Sequence, residues 1–439
     1  MIKQYFKQAW QLIKQNKLFS TIYIAGTALG ISMVMVLAIL NYVKTANIYP
    51  ETNRDKTLYV KSLCLSPKDV ESDRWQASGG FSYTAIQQFF LTLKTPELVS
   101  VEMEPNTDLI SLPNDDEMVE GQSRFVDVNY WKVFNFVFLS GKPFSEAEFQ
   151  SGLNVAVITS SLAKTLFGNE DAVGKEIEYG FKPYRITGVV RDVSYAMPGT
   201  YAQIWMPFTS FADYDEAGNA EYDGVLGDVG NIYLLAYSKN DFSAIRTEVG
   251  SCVARYNAQS KTWRMDLLGQ PDEKSVEIHR QWSNEGPNMV MIRTMIALIV
   301  LLLLMIPAIN LSGMNSMRME RRMGEMGVRK AFGASRMLLL KQVLIENLLL
   351  TGIGGFVGLL LSYIFIWASK KWVFDLGTHF IETMPNETSF EFSFSMLFSF
   401  KIFFMVVLAC LAMNLLSAFV PVFRSLRKSI VNSLHIKYN

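Results

Sequence analysis

Histidine and cysteine are the scarcest chemistry-bearing residues of this chain, three of each in 439. Three cysteines cannot build a disulfide framework. Cys410 falls inside an apolar run, so one Cys64–Cys252 bridge is the most the chain can hold; two buried thiols are the favoured reading, because both have apolar neighbours. His279, His379 and His435 stand singly in unrelated segments, which excludes a histidine-rich metal cluster. A GxxxxGK[ST] phosphate loop, a Gly-rich dinucleotide turn and a G-x-S-x-G elbow are also missing. The nearest approach is Gly174-Lys175, but Glu176 follows the lysine and a hairpin turn is read there instead. No constellation for catalysis remains: no catalytic residue, no metal and no directly bound cofactor is expected. Net charge is lacking too, since 41 basic residues balance 41 acidic ones; that balance says little about partners, and nucleic acid is not among those expected.

What the chain has in plenty is apolar residues, half of the total, gathered into long runs. Four of these, 18–43, 288–311, 344–369 and 400–422, approach or exceed the ~20 residues that a helix needs to cross a bilayer. Local charge orients them. Lys3, Lys7, Lys14 and Lys17 at one end, and Arg424, Arg427, Lys428 and Lys437 at the other, stand without acidic neighbours. Between the second and third runs, residues 313–341 carry Arg318, Arg321, Arg322, Arg329, Lys330, Arg336 and Lys341 against only Glu320 and Glu325. The positive-inside rule therefore places both termini and the 312–343 loop in the cytoplasm, and 370–399, with lower positive charge, outside. Residues 1–17 put Tyr5, Phe6, Ala9, Trp10 and Ile13 on one helical side and lysines on the other, an amphipathic helix lying in the inner interface. A signal peptide competes for this stretch, but the apolar run after it is long and no clear small-residue cleavage site follows.

Residues 44–287 turn soluble in composition. Strand-like runs cover 57–65, 117–128, 154–159, 184–190, 202–207 and 231–237. Helical patterns interleave with them: 160–167 is closed by Gly168, and 241–256 sets Phe242, Ile245, Val249 and Val253 on one face. The fold class expected is a membrane protein with four transmembrane α-helices and a large α+β extracytoplasmic domain between helices 1 and 2. Gly26 and Gly30 in the first run, and Gly354 and Gly358 in the third, allow close helix packing; for the first pair, ordinary transmembrane glycine is the equal alternative. Pro307 can kink the second helix. Glu346, near the inner boundary, is read as structurally paired with a nearby cation rather than as a proton or substrate site.

Within the cationic loop, residues 325–332 can form about two helical turns, with Val328, Ala331 and Phe332 on one face and Glu325 and Arg329 paired on another. Gly333 is placed to stop that helix and Ser335 to cap the next. The run Glu-Met-Gly-Val-Arg-Lys-Ala-Phe-Gly-Ala-Ser ending at Ser335, preceded by Ile309-Asn310-Leu311 and followed by a glycine-rich apolar helix, resembles the signature of the MacB/FtsX-type ABC transporter permeases. The first span, with its TIYIAGTALGIS run, and residues 155–193 (strand, short helix ending Leu-Phe-Gly, Gly-Lys turn, hairpin) resemble the same family. The resemblance implies a two-lobed periplasmic domain over 44–287, its small α/β lobe at about 106–192. It implies a coupling helix docking on a separate ABC ATPase subunit, through Glu325, Gly327, Val328, Arg329, Lys330 and Gly333. ATP would then act only through that partner subunit. The further partners it implies are a second permease copy or paralogue, a periplasmic adaptor with an outer-membrane channel, and membrane lipid; the location implied is the bacterial inner membrane. The function expected is ATP-driven export of peptide, drug or lipid-linked cargo by mechanotransmission. The alternatives are an FtsX-like regulator of cell-wall hydrolases, a lipoprotein-releasing permease, and a membrane-anchored binding protein with no ATPase.

Overall fold

A computed structural model describes residues 10, 11, 14, 17–68, 76–114, 117–211, 220–281, 284–369, 396 and 399–427. Most of the N-terminal amphipathic stretch and most of the 370–399 loop lie outside these. The chain divides into two units, one within Met1–Asn41, Val290–Gly377 and Ser393–Asn439, the other within Tyr42–Met289 and Thr378–Phe392.

Among the described residues the first unit is built mainly from four long helices, Lys17–Thr45, Met289–Ala331, Arg336–Ala368 and Phe400–Arg427, the last turn of the first and Met289 falling in the other unit. Lys17–Thr45 and Leu340–Ala368 are long and apolar enough to cross a membrane, while Met289–Met305 and Phe400–Leu416 are shorter apolar stretches. The second helix has 43 residues and runs without interruption past Pro307. At 1.5 Å per residue it is about 65 Å long, roughly twice the thickness of a bilayer's hydrocarbon core. The expected two-turn helix over 325–332 is thus not a separate element. Its residues to Ala331 are the end of the second helix, and the 312–343 loop narrows to a turn over Phe332–Ser335. Arginine, methionine and glutamate are all good helix formers, so the change from apolar to charged composition does not break the helix.

Helix directions follow from side-chain register. Tyr23 meets Thr351, a Cβ on Gly354 would meet Thr27, and one on Gly358 would meet Ala28 and Ile31, so the first and third helices run parallel. Asn414 meets Thr351, and Gly355 faces Val407, so the fourth runs antiparallel to the third.

The second unit is α+β. Six strands close on themselves in the order Ile204–Pro207, Val155–Thr159, Lys182–Val190, Glu176–Tyr179, Asn106–Ser111 and Met118–Val126, the last pairing in parallel with the first. The small lobe therefore needs residues up to Pro207 to close, beyond the expected limit near 192. Val155–Thr159 and Lys182–Val190 are parallel neighbours joined through helix Ser160–Phe167. That helix is capped by the Thr159 hydroxyl, which accepts from the Leu162 amide at 3.3 Å, and ended by Gly168 at φ +73°. Gly174 turns the chain into Glu176–Tyr179, and the hairpin itself reverses at Gly180 and Phe181, both at positive φ. From Met118–Val126 the sheet continues through Leu98–Met103, Val229–Leu235, Ala77–Phe81 and Leu63–Pro67 to Trp263–Asp266. Helix Phe242–Gln259 buries Phe242, Ile245, Val249 and Cys252; Cys252, not Val253, completes its inner face. Cys64 and Cys252 are both buried free thiols, so the bridge is not formed.

Candidate functional site

The turn between the second and third helices is made by local backbone chemistry. Gly333 adopts φ +90°, a left-handed conformation that glycine reaches without a Cβ clash. The Ala334 amide donates to the Arg329 carbonyl at 2.9 Å, and the Phe332 amide to that of Val328 at 3.0 Å, so carbonyls left open at the helix end are satisfied. The Ser335 hydroxyl accepts from the Leu338 amide at 3.2 Å and starts the third helix. Across this elbow, Arg329 Nη1 donates to Gln342 Oε1 at 2.8 Å. The described partner of Arg329 is thus Gln342 on the third helix, while the expected pairing with Glu325 falls on a side chain outside those described. Val328 is 47 % and Phe332 87 % exposed, so the elbow carries an apolar tip. Glu325, Gly327 and Lys330 lie on the last turns of the second helix. Phe332 belongs with the predicted site residues. The signal for it was in the sequence: a phenyl beside a stop glycine in a cationic loop has no core to enter.

The packing glycines separate into two groups. A Cβ on Gly354 would stand 2.9 Å from the Thr27 side chain, and one on Gly358 2.7 Å from the Ala28 carbonyl, so both mark backbone approach of the first and third helices. Gly26 has nothing within 4 Å of its would-be Cβ, and Gly30 is buried. Beside these contacts lies a polar seam: Asn414 Nδ2 donates to Thr351 Oγ1 at 3.2 Å, and Tyr23 and Thr351 share a 3.4 Å hydroxyl contact. Glu346 is buried at 3 % exposure.

Sequence reasoning missed a buried ionic cluster in the second unit. Arg54, 3 % exposed, donates from Nε to Glu51 Oε2 at 2.8 Å and from Nη1 to the carbonyls of Val43 at 2.6 Å and Ala46 at 2.8 Å. Glu51, 1 % exposed, also accepts from Thr200 Oγ1 at 3.0 Å and pairs with Lys274 Nζ at 3.6 Å. Lys274 pairs in turn with Glu277 at 3.0 Å, and Lys61 closes on Glu277 at 2.5 Å. Burial pushes the Glu51 carboxyl up, but Arg54 and Lys274 outweigh it and hold it well below the usual carboxylate range. Burial acts against Glu277 in the same way, and Lys274 with Lys61 bring it down to about 2. A second buried pair, Glu102 with Arg124, is completed by the Tyr233 hydroxyl and the Tyr201 carbonyl. Charged residues scattered through a soluble-looking segment read as surface, which is why neither cluster was legible.

Among the described residues no group of His, Cys, Asp and Glu could hold a metal ion. What the chain offers is two parallel helices and a third antiparallel to them, an exposed elbow and an α+β domain inserted after the first helix. This is the arrangement expected of a membrane permease. Residues 20–251 match the MacB-like periplasmic core domain and 295–430 the FtsX-like permease C-terminal region. The chain belongs to the MacB/FtsX-type ABC transporter permeases. It is 24 % identical over 370 residues to the macrolide export ATP-binding/permease protein MacB of Chromobacterium violaceum, covering 82 % of this chain and 52 % of that protein. It is 24 % identical over 241 residues to the uncharacterized ABC transporter permease YknZ of Bacillus subtilis, covering 54 % of this chain and 55 % of that one. The chain thus spans about half the length of these curated relatives. Among solved structures, the extracellular domain of YknZ aligns with 48 % of this chain and 99 % of its own at 15 % identity and a TM-score of 0.34. A domain of a permease protein from Porphyromonas gingivalis aligns with 56 % and 98 % at 15 % identity and a TM-score of 0.36.

Proposed function

We propose that this chain is a four-span permease subunit that passes the motion of a separate ABC ATPase to its extracytoplasmic domain and so drives export of peptide, drug or lipid-linked cargo. The observation that carries this reading is the elbow: a continuous second helix, a glycine-stopped turn, an Arg329–Gln342 brace and an exposed Phe332. A rigid helix with an apolar tip at one end is a handle by which a partner can push. The parallel first and third helices and the antiparallel fourth support a topology in which both termini share the elbow's side. The cationic residues around the elbow support the cytoplasm as that side. In this reading ATP hydrolysis occurs in the partner, and two permease copies, or one with a paralogue, assemble on two ATPases. A periplasmic adaptor and an outer-membrane channel would complete an export path.

Affinity purification of the detergent-solubilised full chain after mild crosslinking tests this. Wild type is expected to recover an ABC ATPase, while Phe332→Asp and Glu325→Arg recover little, with unchanged yield and thermal stability. Equal ATPase recovery by all three would remove the elbow from docking. Recovery of none, under conditions that preserve such complexes, would favour an anchored binding protein. A co-purified cell-wall hydrolase in place of an adaptor would favour the regulator reading.

A further inference from the structure

The last turn of the first helix, from Tyr42 to Thr45, belongs to the extracytoplasmic unit. A helix ends with carbonyls that have no partner of their own. Here two carbonyls at or just past that end, those of Val43 and Ala46, are bound by a single side chain, the guanidinium of Arg54. The same guanidinium holds Glu51, which is shared with Lys274. Lys274 opens the short helix Lys274–Glu277, close in sequence to Met289, where the second long helix begins. The groups linking these segments are nearly all buried: Arg54, Glu51, Lys274 and Glu277 are each less than 9 % exposed.

We propose that the Arg54–Glu51–Lys274 relay is the joint through which displacement of the first helix's end reaches the segment leading to the second long helix. The proposal rests on the transmission function given above and assigns it to particular residues. Two physical features suit the relay to this task. Arginine's planar fork bonds two carbonyls and a carboxylate at fixed angles, so the helix end cannot shift without carrying Glu51 with it. Because the cluster is buried, a broken contact finds no water to replace it, and the groups move together rather than exchange partners. An exposed pair such as Lys164–Glu170 has neither property. Arg54 and Glu51 are therefore positioning residues, not binding ones.

The test uses the full chain with its ATPase in lipid nanodiscs. Amide hydrogen exchange is compared without nucleotide and after trapping with ATP and vanadate. In wild type the nucleotide-dependent change is expected at residues 328–338 and again at 43–54 and 271–280. Arg54→Leu and Glu51→Gln should keep the change at 328–338 and lose about fivefold or more of it at 271–280. Arg54→Lys, which keeps the charge without the fork, should fall between. Exchange in strand Val155–Thr159 reports whether each variant is folded; if Arg54→Leu is not, Glu51→Gln decides, since it preserves the shape of the side chain. A response of wild-type size at 271–280 in the folded variants would overturn the joint, even if residues 43–54 exchange faster without nucleotide. A wild-type response at 328–338 with none at 271–280 would overturn it as well. No response at 328–338 would instead sink the transmission reading itself.

Discussion

Glu277 lies at the end of the buried cluster, between Lys61 and Lys274, and its protonation separates two opposing forces. Burial disfavours the carboxylate, yet the two ammonium groups prevail and its pKa falls from 4.5 to about 2. A folded-state pKa below the unfolded one means that the stabilisation is fully present above pH 4.5 and is lost as pH falls toward about 2. By linkage it amounts to on the order of 3 kcal/mol for this group. Asp127 acts in the opposite sense. Its burial outweighs the bonds it accepts from Ser100, Tyr130 and Val101 and brings it up to about 7, so its contribution declines as pH rises from 3.8 toward neutrality. Thermal unfolding of the detergent-solubilised chain between pH 2 and pH 5 is expected to show a steep acid limb, flattened in Glu277→Gln, whose melting temperature is also lower at pH 7 because Lys61 and Lys274 lose their counter-charge. An acid limb as steep in Glu277→Gln as in wild type would place the acid sensitivity elsewhere. None of this could be read from sequence, because Glu277 and Asp127 are, to composition, ordinary surface acids.

Six strand-like runs and the short helix Ser160–Phe167 were legible because their signals are local, a β-branched run, a threonine cap and a stop glycine, whereas Ala77–Phe81, Leu98–Met103, Asn106–Ser111 and Trp263–Asp266 were not anticipated. Two larger features also escaped for lack of such a signal. Closure of the small lobe depends on parallel pairing of Ile204–Pro207 with Met118–Val126, a contact far apart in sequence that no periodicity announces. The second helix passes Pro307 and runs on into the charged stretch without a break, where the change to charged composition suggested a boundary at 311. The glycines of the first and third helices show the same limit, because identical spacing hides different surroundings. Gly358 faces a backbone carbonyl that cannot yield, so Gly358→Ala is expected to push the helices apart at a cost of about 1–3 kcal/mol. Gly352, with nothing within 4 Å, serves as the control. Gly352→Ala should be neutral or slightly stabilising, since alanine is the better helix former. Thermal inactivation of the two variants in the same detergent measures the contrast, and equal melting temperatures would mean that the close approach at Gly358 is not maintained.

At the scale of the whole molecule, helix direction links the two halves of the sequence that the family models match separately. The first helix leads into the domain that begins at Tyr42. The third runs parallel to it through the Tyr23–Thr351, Thr27–Gly354 and Ala28–Gly358 contacts, so its start at Arg336 lies on the side of the first helix's start. The elbow therefore lies at the same end of this helix pair as the start of the first helix, independently of the charge rule. That rule then adds which side is which. Single cysteines test both steps, because Cys64, Cys252 and Cys410 are buried and react slowly. Tyr237→Cys, at a site 68 % exposed, is expected to be labelled by a membrane-impermeant maleimide in cells whose inner membrane is intact but whose outer envelope is permeable. Phe332→Cys, at 87 %, should be labelled only after that membrane is opened. Labelling of both from one side would contradict the parallel register. Labelling of Phe332→Cys alone in the intact state would keep the register and reverse the orientation, taking with it the cytoplasmic ATPase as the partner of the elbow.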